Sequence, residues 1–288
     1  MNNTPIEWTE MTSNVIQWRD RRTGRVGDWF CVKCSPGCDH CYSERLSLSG
    51  RFPRALGVPF EREHLEHVEP ILNERELVEI ARRKEPAEIF VQEMGDLFLP
   101  AISDAMLNRV FTLLEHNPQH TFQLLTKRAA RMRGYVTSRY RSSILPENIW
   151  WGVSAENQYW LERRLKQLLA LPESAAVRYV SLEPLLGPIN RYPHILLDES
   201  GSQPDVDWVI VGSESAEGGR SGRPCDLAHI RAIVADCQAS GVPVFVKQID
   251  RDGRVERRIE QFPADLRVRE KPERVSVVQP LLWPTADG

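Results

Sequence analysis

Short runs of apolar and β-branched residues recur along the chain: Glu88 to Val91 (EIFV), Thr121 to Leu125 (TFQLL), Asn148 to Val153 (NIWWGV), Arg178 to Ser181 (RYVS), Asp207 to Val211 (DWVIV) and Val242 to Val246 (VPVFV). Each has strand length. Their starts fall 27 to 35 residues apart, and the intervening stretches carry helical periodicity, which is the spacing of successive parallel βα units. The helix after Asn157 sets Trp160, Leu161, Leu165, Leu168 and Leu169 on one face and meets Pro172 beyond its end. A second runs from Asp226, a good N-cap, through Leu227, Ile230, Ile233, Val234 and Cys237 to Gly241. A third carries Met106, Val110, Leu113 and Leu114 and stops before Asn117-Pro118. Gly24 to Phe30 predicts one more strand upstream. The pattern predicts an α/β fold: a partial or complete (β/α) barrel of six to seven parallel strands over residues 25–250. An N-terminal arm (1–24) precedes it, and a C-terminal extension (251–288) follows, with Asp252-Gly253 marking a hairpin.

The composition changes this picture little. With 41% hydrophobic and 27% charged residues in 288, the chain excludes disorder, collagen and coiled coil. Lys and Arg total 37 against 40 Asp and Glu, so no global basic field advertises a polyanion, and only local Arg-rich segments remain for that role. These are Arg19 to Arg25, Lys127 to Arg133 and Arg251 to Arg258. The chain start lacks a basic stretch followed by an apolar run, and no run approaches the ~18 apolar residues of a membrane span. The expectation is a cytoplasmic protein with no membrane partner.

In barrels the chemistry collects at the C-terminal strand ends. Here those ends read Glu93 and Asp96, Thr126 and Lys127, Ser154, Glu183, Ser213 and Glu214, and Lys247 and Gln248. Helix capping accounts for Ser154. It accounts less well for Lys127, Glu183, Glu214 and Lys247, because charges beside a mouth carry a desolvation cost unless paired or used. Those four are the candidate catalytic residues.

Four of the six cysteines, Cys31, Cys34, Cys38 and Cys41, lie within eleven residues. In a reducing compartment such density reads as metal or iron-sulfur ligation, whereas Cys225 and Cys237 stand apart as core or surface thiols. Structural zinc takes ligand pairs separated by about a dozen residues or more, and the three residues between these pairs are too few for two knuckles. Zinc is the alternative metal. Iron-sulfur clusters tolerate compact thiolate runs.

The subset Cys34, Cys38 and Cys41 spells C-x3-C-x2-C and resembles the radical S-adenosylmethionine superfamily. That resemblance implies a 4Fe-4S cluster on three thiolates, with one iron open to the amino and carboxylate groups of S-adenosylmethionine. It also implies an external electron donor and cleavage of a carbon-sulfur bond to an adenosyl radical. The longer words IEWTEMTSN, SPGCDHCYSERL, EMGDLF, LLTKRAARM, IWWGVSAENQ, SLEPLLGPI, DWVIVGSES and GVPVFVKQ resemble the three-Cys-motif phage protein family over residues 5–250. Its C-x6-C-x2-C pattern falls on Cys31, Cys38 and Cys41, so the two resemblances differ on the third ligand, Cys31 or Cys34. Four thiolates on one cluster would leave no iron open. By resemblance, Glu93 and Asp96 hold the methionyl amino group, Ser154 and Asn157 reach ribose hydroxyls, Val209 to Glu214 lies near adenine, and Tyr42 packs over the cluster. His40 reads as a solvated loop residue.

Two functions of different class follow. One is a phage-associated radical S-adenosylmethionine enzyme acting on a nucleic acid or nucleotide, with a companion protein as a further partner. The other is a non-catalytic, metal-stabilised binding protein whose basic segments contact phosphate.

Overall fold

A computed structural model describes residues 1–141, 144–172, 175–190, 205–215 and 222–273; residues 274–288 of the expected C-terminal extension lie outside the described residues. In chain order the elements are β1 (Asn2–Asn3), β2 (Met11–Ser13), β3 (Ile16–Asp20), β4 (Val26–Gly27), α1 (Tyr42–Leu48), β5 (Val68–Leu72), α2 (Glu74–Arg82), β6 (Glu88–Val91) and α3 (Asp104–Glu115). There follow β7 (Thr121–Thr126), α4 (Ala129–Tyr140), β8 (Ile149–Ser154), α5 (Gln158–Leu169), β9 (Arg178–Leu182), β10 (Trp208–Gly212), α6 (Leu227–Ser240), β11 (Val244–Arg251) and β12 (Arg254–Glu256).

The barrel expectation is corrected. The strands form an open nine-stranded sheet in the order β1-β2-β6-β7-β8-β9-β10-β11-β12. Parallel pairing runs from β2 to β11, while β1 and β12 pair antiparallel with their neighbours and end the sheet. Among the described residues no pairing joins β1 to β12. The physical reason lies at both edges. β2 has only three residues, MTS, and its outer edge is covered by β1. At the other edge β11 turns back through Asp252 (φ 54°) and Gly253 (φ 78°), the positive-φ pair that a tight hairpin needs. Gly24 to Phe30 is not the first parallel strand either. Only Val26–Gly27 is extended there, in a separate antiparallel sheet ordered β4-β3-β5. In β3, Ile16 and Trp18 are buried while Arg19 is exposed, the alternation of a sheet with one wet face.

Helix ends follow the cap chemistry. Asn73, Ser103, Asn157 and Asp226 each accept a hydrogen bond from a first-turn amide of α2, α3, α5 and α6. Gly241 ends α6 in the left-handed region at φ 68°.

The two sheet faces differ. On one, Ile89, Val91, Phe122, Leu124, Trp151, Val180, Val209 and Val246 pack with helix residues such as Phe111, Leu114, Leu165 and Ile233. On the other, a separate cluster of Trp8, Phe90, Trp150, Tyr179, Trp208, Ile210 and Phe245 fills the space. Trp8 stands 4.7 Å from Phe90 of β6 and 6.1 Å from Trp208 of β10, ring centre to ring centre. One indole therefore touches strands four places apart in the order, so this face is concave. Register rows cross it: Thr12, Phe90, Gln123 and Trp150, then Leu125, Gly152, Tyr179 and Trp208, then Ser154, Ser181, Ile210 and Phe245. Glycine is required at 152, since a Cβ there would lie 2.3 Å from the Tyr179 ring. The segment around residue 270 closes the N-terminal end of the concavity: Val246 N donates to Val268 O, Trp208 Nε1 to Glu270 O, and Lys271 pairs with Glu88 of β6 at 2.6 Å. The concave face is thus closed at its N-terminal end by this segment.

Candidate functional site

The cysteine segment, residues 31–41, lies over the C-terminal strand ends, held from several strands at once. Cys38 N donates to Ser35 O and Cys41 N to Cys38 O, so the loop is a pair of tight turns leading into α1, with Cys41 as its N-cap residue. Tyr42 Oη donates to Glu93 O at 2.9 Å and Ser43 Oγ to Met94 O, which ties α1 to the end of β6. Arg128, just after β7, donates to Val32 O, lies 3.9 Å from Cys31 Sγ and pairs with Asp96 at 3.0 Å. Gly37 N donates to Glu156 Oε1 at 3.2 Å, after β8. His40 Nδ1 meets Glu214 Oε2 at 2.9 Å, after β10.

The four thiols share one electrostatic neighbourhood. Burial pushes the Cys31 thiol up to about 12, and the charges of Cys41 and Cys38 push the same way against the opposing pull of Arg128. Burial also raises Cys41. Cys38 goes the other way, to about 5, because the Cys34 thiol donates toward it, with Lys127 and the backbone amides of Cys34 and Ser35 adding to the effect. The shared hydrogen bond drives Cys34, which is exposed, far above the thiol range. Cys225 and Cys237 are buried, away from this segment in sequence. Among the described residues no three His, Cys, Asp or Glu side chains stand as close as a single metal ion requires.

The strand-end residues divide into two groups. Asp96 is a clamp: it is buried, and its oxygens accept from Thr126 Oγ1, the amides of Lys127 and Phe98, and Arg128. Asn157 caps α5, and Ser154 Oγ donates to Glu183 O. Glu214 is held by Arg223 and His40; burial works against its charge, but the hydrogen bonds from Arg223 and His40 prevail and lower its pKa. Glu183 and Lys247 pair with each other at 2.6 Å, and Gln248 Nε2 also reaches Glu183. Lys127 lies beside the cysteines. Its Cε and the Glu156 carboxylate both stand 3.2 to 3.3 Å from where a Cβ on Gly37 would be. Glu93 differs from the other carboxylates. Burial raises its pKa, hydrogen bonds from Thr12 and Asn14 oppose that rise, and the charge of Lys247 reaches it from across the concave face.

Sequence reasoning passed over Glu156 and Arg164. Their pair is 0% and 3% exposed at 2.9 Å. No local pattern marks them, because Glu156 reads as one more acidic residue at a helix start. His40 is 41% exposed, the solvated loop residue it was read to be, and its contact with Glu214, 174 positions away, was not legible in the sequence. The Arg-rich segments are neutralised in part: Arg19 and Arg21 share Glu69, Arg22 meets Asp20, Arg131 meets Asp104, and Arg258 meets Glu256. Among the described residues, no helix is long and apolar enough to cross a membrane.

The family described as a protein of unknown function, DUF5131, matches residues 3–268, and the chain belongs to it. No curated protein and no solved structure matches the chain.

Proposed function

We propose that this protein is a radical S-adenosylmethionine enzyme working in a reducing cytoplasm, with a 4Fe-4S cluster on Cys31, Cys38 and Cys41. The observation that carries the reading is the convergence of the thiols at the C-terminal strand ends of the concave face, beside Lys127 and Glu93. Cys31 and Cys41 both feel Cys38, and Cys31 feels Cys41, whereas Cys34 is engaged with Cys38. Cluster thiolates bind separate irons, so the donor set suits a multi-iron group better than one zinc ion at ~2.3 Å from each sulfur. When bound and reduced by an external donor, such a cluster supplies one electron to the sulfonium of S-adenosylmethionine, which splits a carbon-sulfur bond.

The chain's own residues supply the surroundings. Lys127 and the backbone amides favour the Cys38 thiolate. Glu93, on the rim of the concave face, is the acceptor for the ligand's amino group. Glu183 and Lys247 form the far wall, where a substrate would meet a paired carboxylate and ammonium. Asp96, whose oxygens are all engaged, fixes Arg128 and the loop.

The competing reading, a metal-stapled nucleic-acid binder, draws on the Arg-rich segments, several of whose arginines already face carboxylates. Anaerobic reconstitution with iron and sulfide, then incubation with S-adenosylmethionine and a reductant, tests the proposal. Bound iron and sulfide with formation of 5′-deoxyadenosine is the expected result. A colourless protein that takes up only zinc overturns it.

A further inference from the structure

Of the buried pair, Glu156 sits two residues past β8 and Arg164 within α5, outside the roles assigned above. Arg164 Nη1 donates both to Glu156 Oε2 at 2.9 Å and to Ser154 O at 2.7 Å, and its guanidinium stacks on Trp160 at 4.3 Å. The Nε and Nη2 atoms of Arg164 are buried with no hydrogen-bond partner. A charge pair removed from water in this way seldom gains stability over apolar packing of the same volume. The arrangement therefore needs a reason other than stability, and the second carboxylate oxygen supplies one. Oε1 of Glu156 accepts from Gly37 N, in the turn that contains Cys34 and Cys38. The same turn packs closely on Glu156 and Lys127: a Cβ on Gly37 would stand 3.2 Å from Glu156 Cδ, so a larger residue there needs a shift of a few tenths of an ångström. Glu156 O further accepts from Leu186 N, so the residue joins the cysteine loop to the segment after β9.

We propose that Glu156, oriented by Arg164, is the positioning residue of the cysteine loop: its carboxylate fixes Gly37 and so sets where Cys38 stands relative to Cys31 and Cys41. Glu156 touches no reacting atom. The inference rests on the proposed cluster for what is positioned, but the anchor itself exists in metal-free protein.

The test uses the full chain in three forms. In the double variant Glu156→Leu/Arg164→Met the pair is replaced by apolar side chains, so thermal melting should remain near wild type. In Glu156→Gln an acceptor oxygen for Gly37 persists. Gly37→Ala leaves the pair intact and pushes the turn away. Hydrogen exchange of metal-free protein, read on the peptide containing Gly37, should accelerate about tenfold or more in the double variant and in Gly37→Ala, the loss expected for a hydrogen bond to a charged acceptor. Glu156→Gln should fall between these two and wild type, because an amide that keeps its oxygen on Gly37 turns its NH2 toward Arg164. After reconstitution, the double variant and Gly37→Ala should lose bound iron, and Glu156→Gln should keep it. Unchanged exchange overturns the anchor, and so does full iron in a folded double variant or in Gly37→Ala. If the double variant fails to fold, Gly37→Ala alone decides. If wild type itself binds no cluster, the proposed function fails, while the exchange contrast still decides whether Glu156 holds the loop.

Discussion

The cysteine loop and the Arg19–Arg25 hairpin are both short, chemically conspicuous and near the N-terminus, and they meet opposite fates in the fold. The hairpin is satisfied by its own small sheet: Arg19 and Arg21 share Glu69, and Arg25 donates to Pro53 O and Ala55 O. The cysteine loop is held by residues that follow β6, β7, β8 and β10, and within it the Cys34 thiol donates toward Cys38. A charge run whose partners lie on neighbouring strands is a solvated surface. A cluster of ligand-type residues fixed by partners some 50 to 170 positions away owes its place to the whole fold rather than to its neighbours in sequence.

The largest effect expected from breaking this contrast is loss of the cluster. Cys38→Ala or Cys41→Ala should abolish iron uptake, since both thiols belong to each candidate triad. Cys34→Ala should keep it, because Cys34 is engaged with Cys38. Iron analysis of the four single variants reads this directly, and full iron in Cys41→Ala would remove ligation from the account.

Next comes the anchor at β7. Asp96 and Arg128 are 7% and 11% exposed, so Asp96→Ala strands a buried guanidinium and should destabilise the fold by about 3–5 kcal/mol. Denaturant titration of the two proteins checks it, and a change under ~1 kcal/mol would show that the loop is held by its other contacts.

Much of this was legible in the sequence where one strand or one helix decides the outcome. EIFV is β6 residue for residue, and Asp226 and Gly241 cap the helix they were read to cap, whereas the cap of α5 is Asn157 and not Ser154, whose Oγ donates to Glu183 O. These signals are local: apolar burial on a strand and a side-chain oxygen beside free amides. The illegible parts depend on distant partners. MTS is too short and too polar to signal a strand, and becomes one only because Ile89 to Val91 lies beside it. Gly24 to Phe30 contains strand-like residues but is taken by β3 into another sheet. Closure of a sheet is likewise decided by its edges, here a three-residue strand and a hairpin, rather than by the repeat between them. In the candidate site the cysteine cluster was plain from spacing. The engagement of Asp96, Glu214 and Glu183 with cations, and the existence of the Glu156–Arg164 pair, required the fold.

A smaller effect sharpens the role of Cys34. In metal-free protein the Cys34 and Cys38 pair releases its first proton near pH 5 and holds the second far above the thiol range. Between pH 5 and the ordinary thiol range the folded pair binds one proton where the unfolded chain binds two. Its contribution to stability therefore rises with pH in that window, is lost as pH falls through about 5, and declines again in alkali when the unfolded thiols ionise. Cys34→Ala removes the largest cause of the depression, so the pH at which Cys38 becomes reactive should move up toward the ordinary thiol range. Alkylation rates of Cys38 against pH measure that move, and an unchanged profile would assign the depression to Lys127 and the backbone instead.

The smallest effect is expected in the hairpin, and it tests the other half of the comparison. Arg19 is 45% exposed and Arg21 53%, and both point at one carboxylate, Glu69. Pairs of this exposure hold their partners weakly, within about 1 kcal/mol, because water screens the charges and the long side chains lose freedom in pairing. Arg19→Ala with Arg21→Ala should therefore shift the melting transition only slightly, and should leave iron content unaltered because neither residue touches the cysteine loop. A phosphate-binding surface behaves differently: each lost cation lowers affinity for DNA or RNA across all sequences and flattens the dependence on salt. Measuring retention of the wild type and the double variant on a nucleic-acid column across a salt gradient separates the two cases. Equal, weak retention is the expected outcome. A clear loss in the double variant would mean that Glu69 yields its arginines to phosphate, and the hairpin would then have to be counted with the cysteine loop as functional.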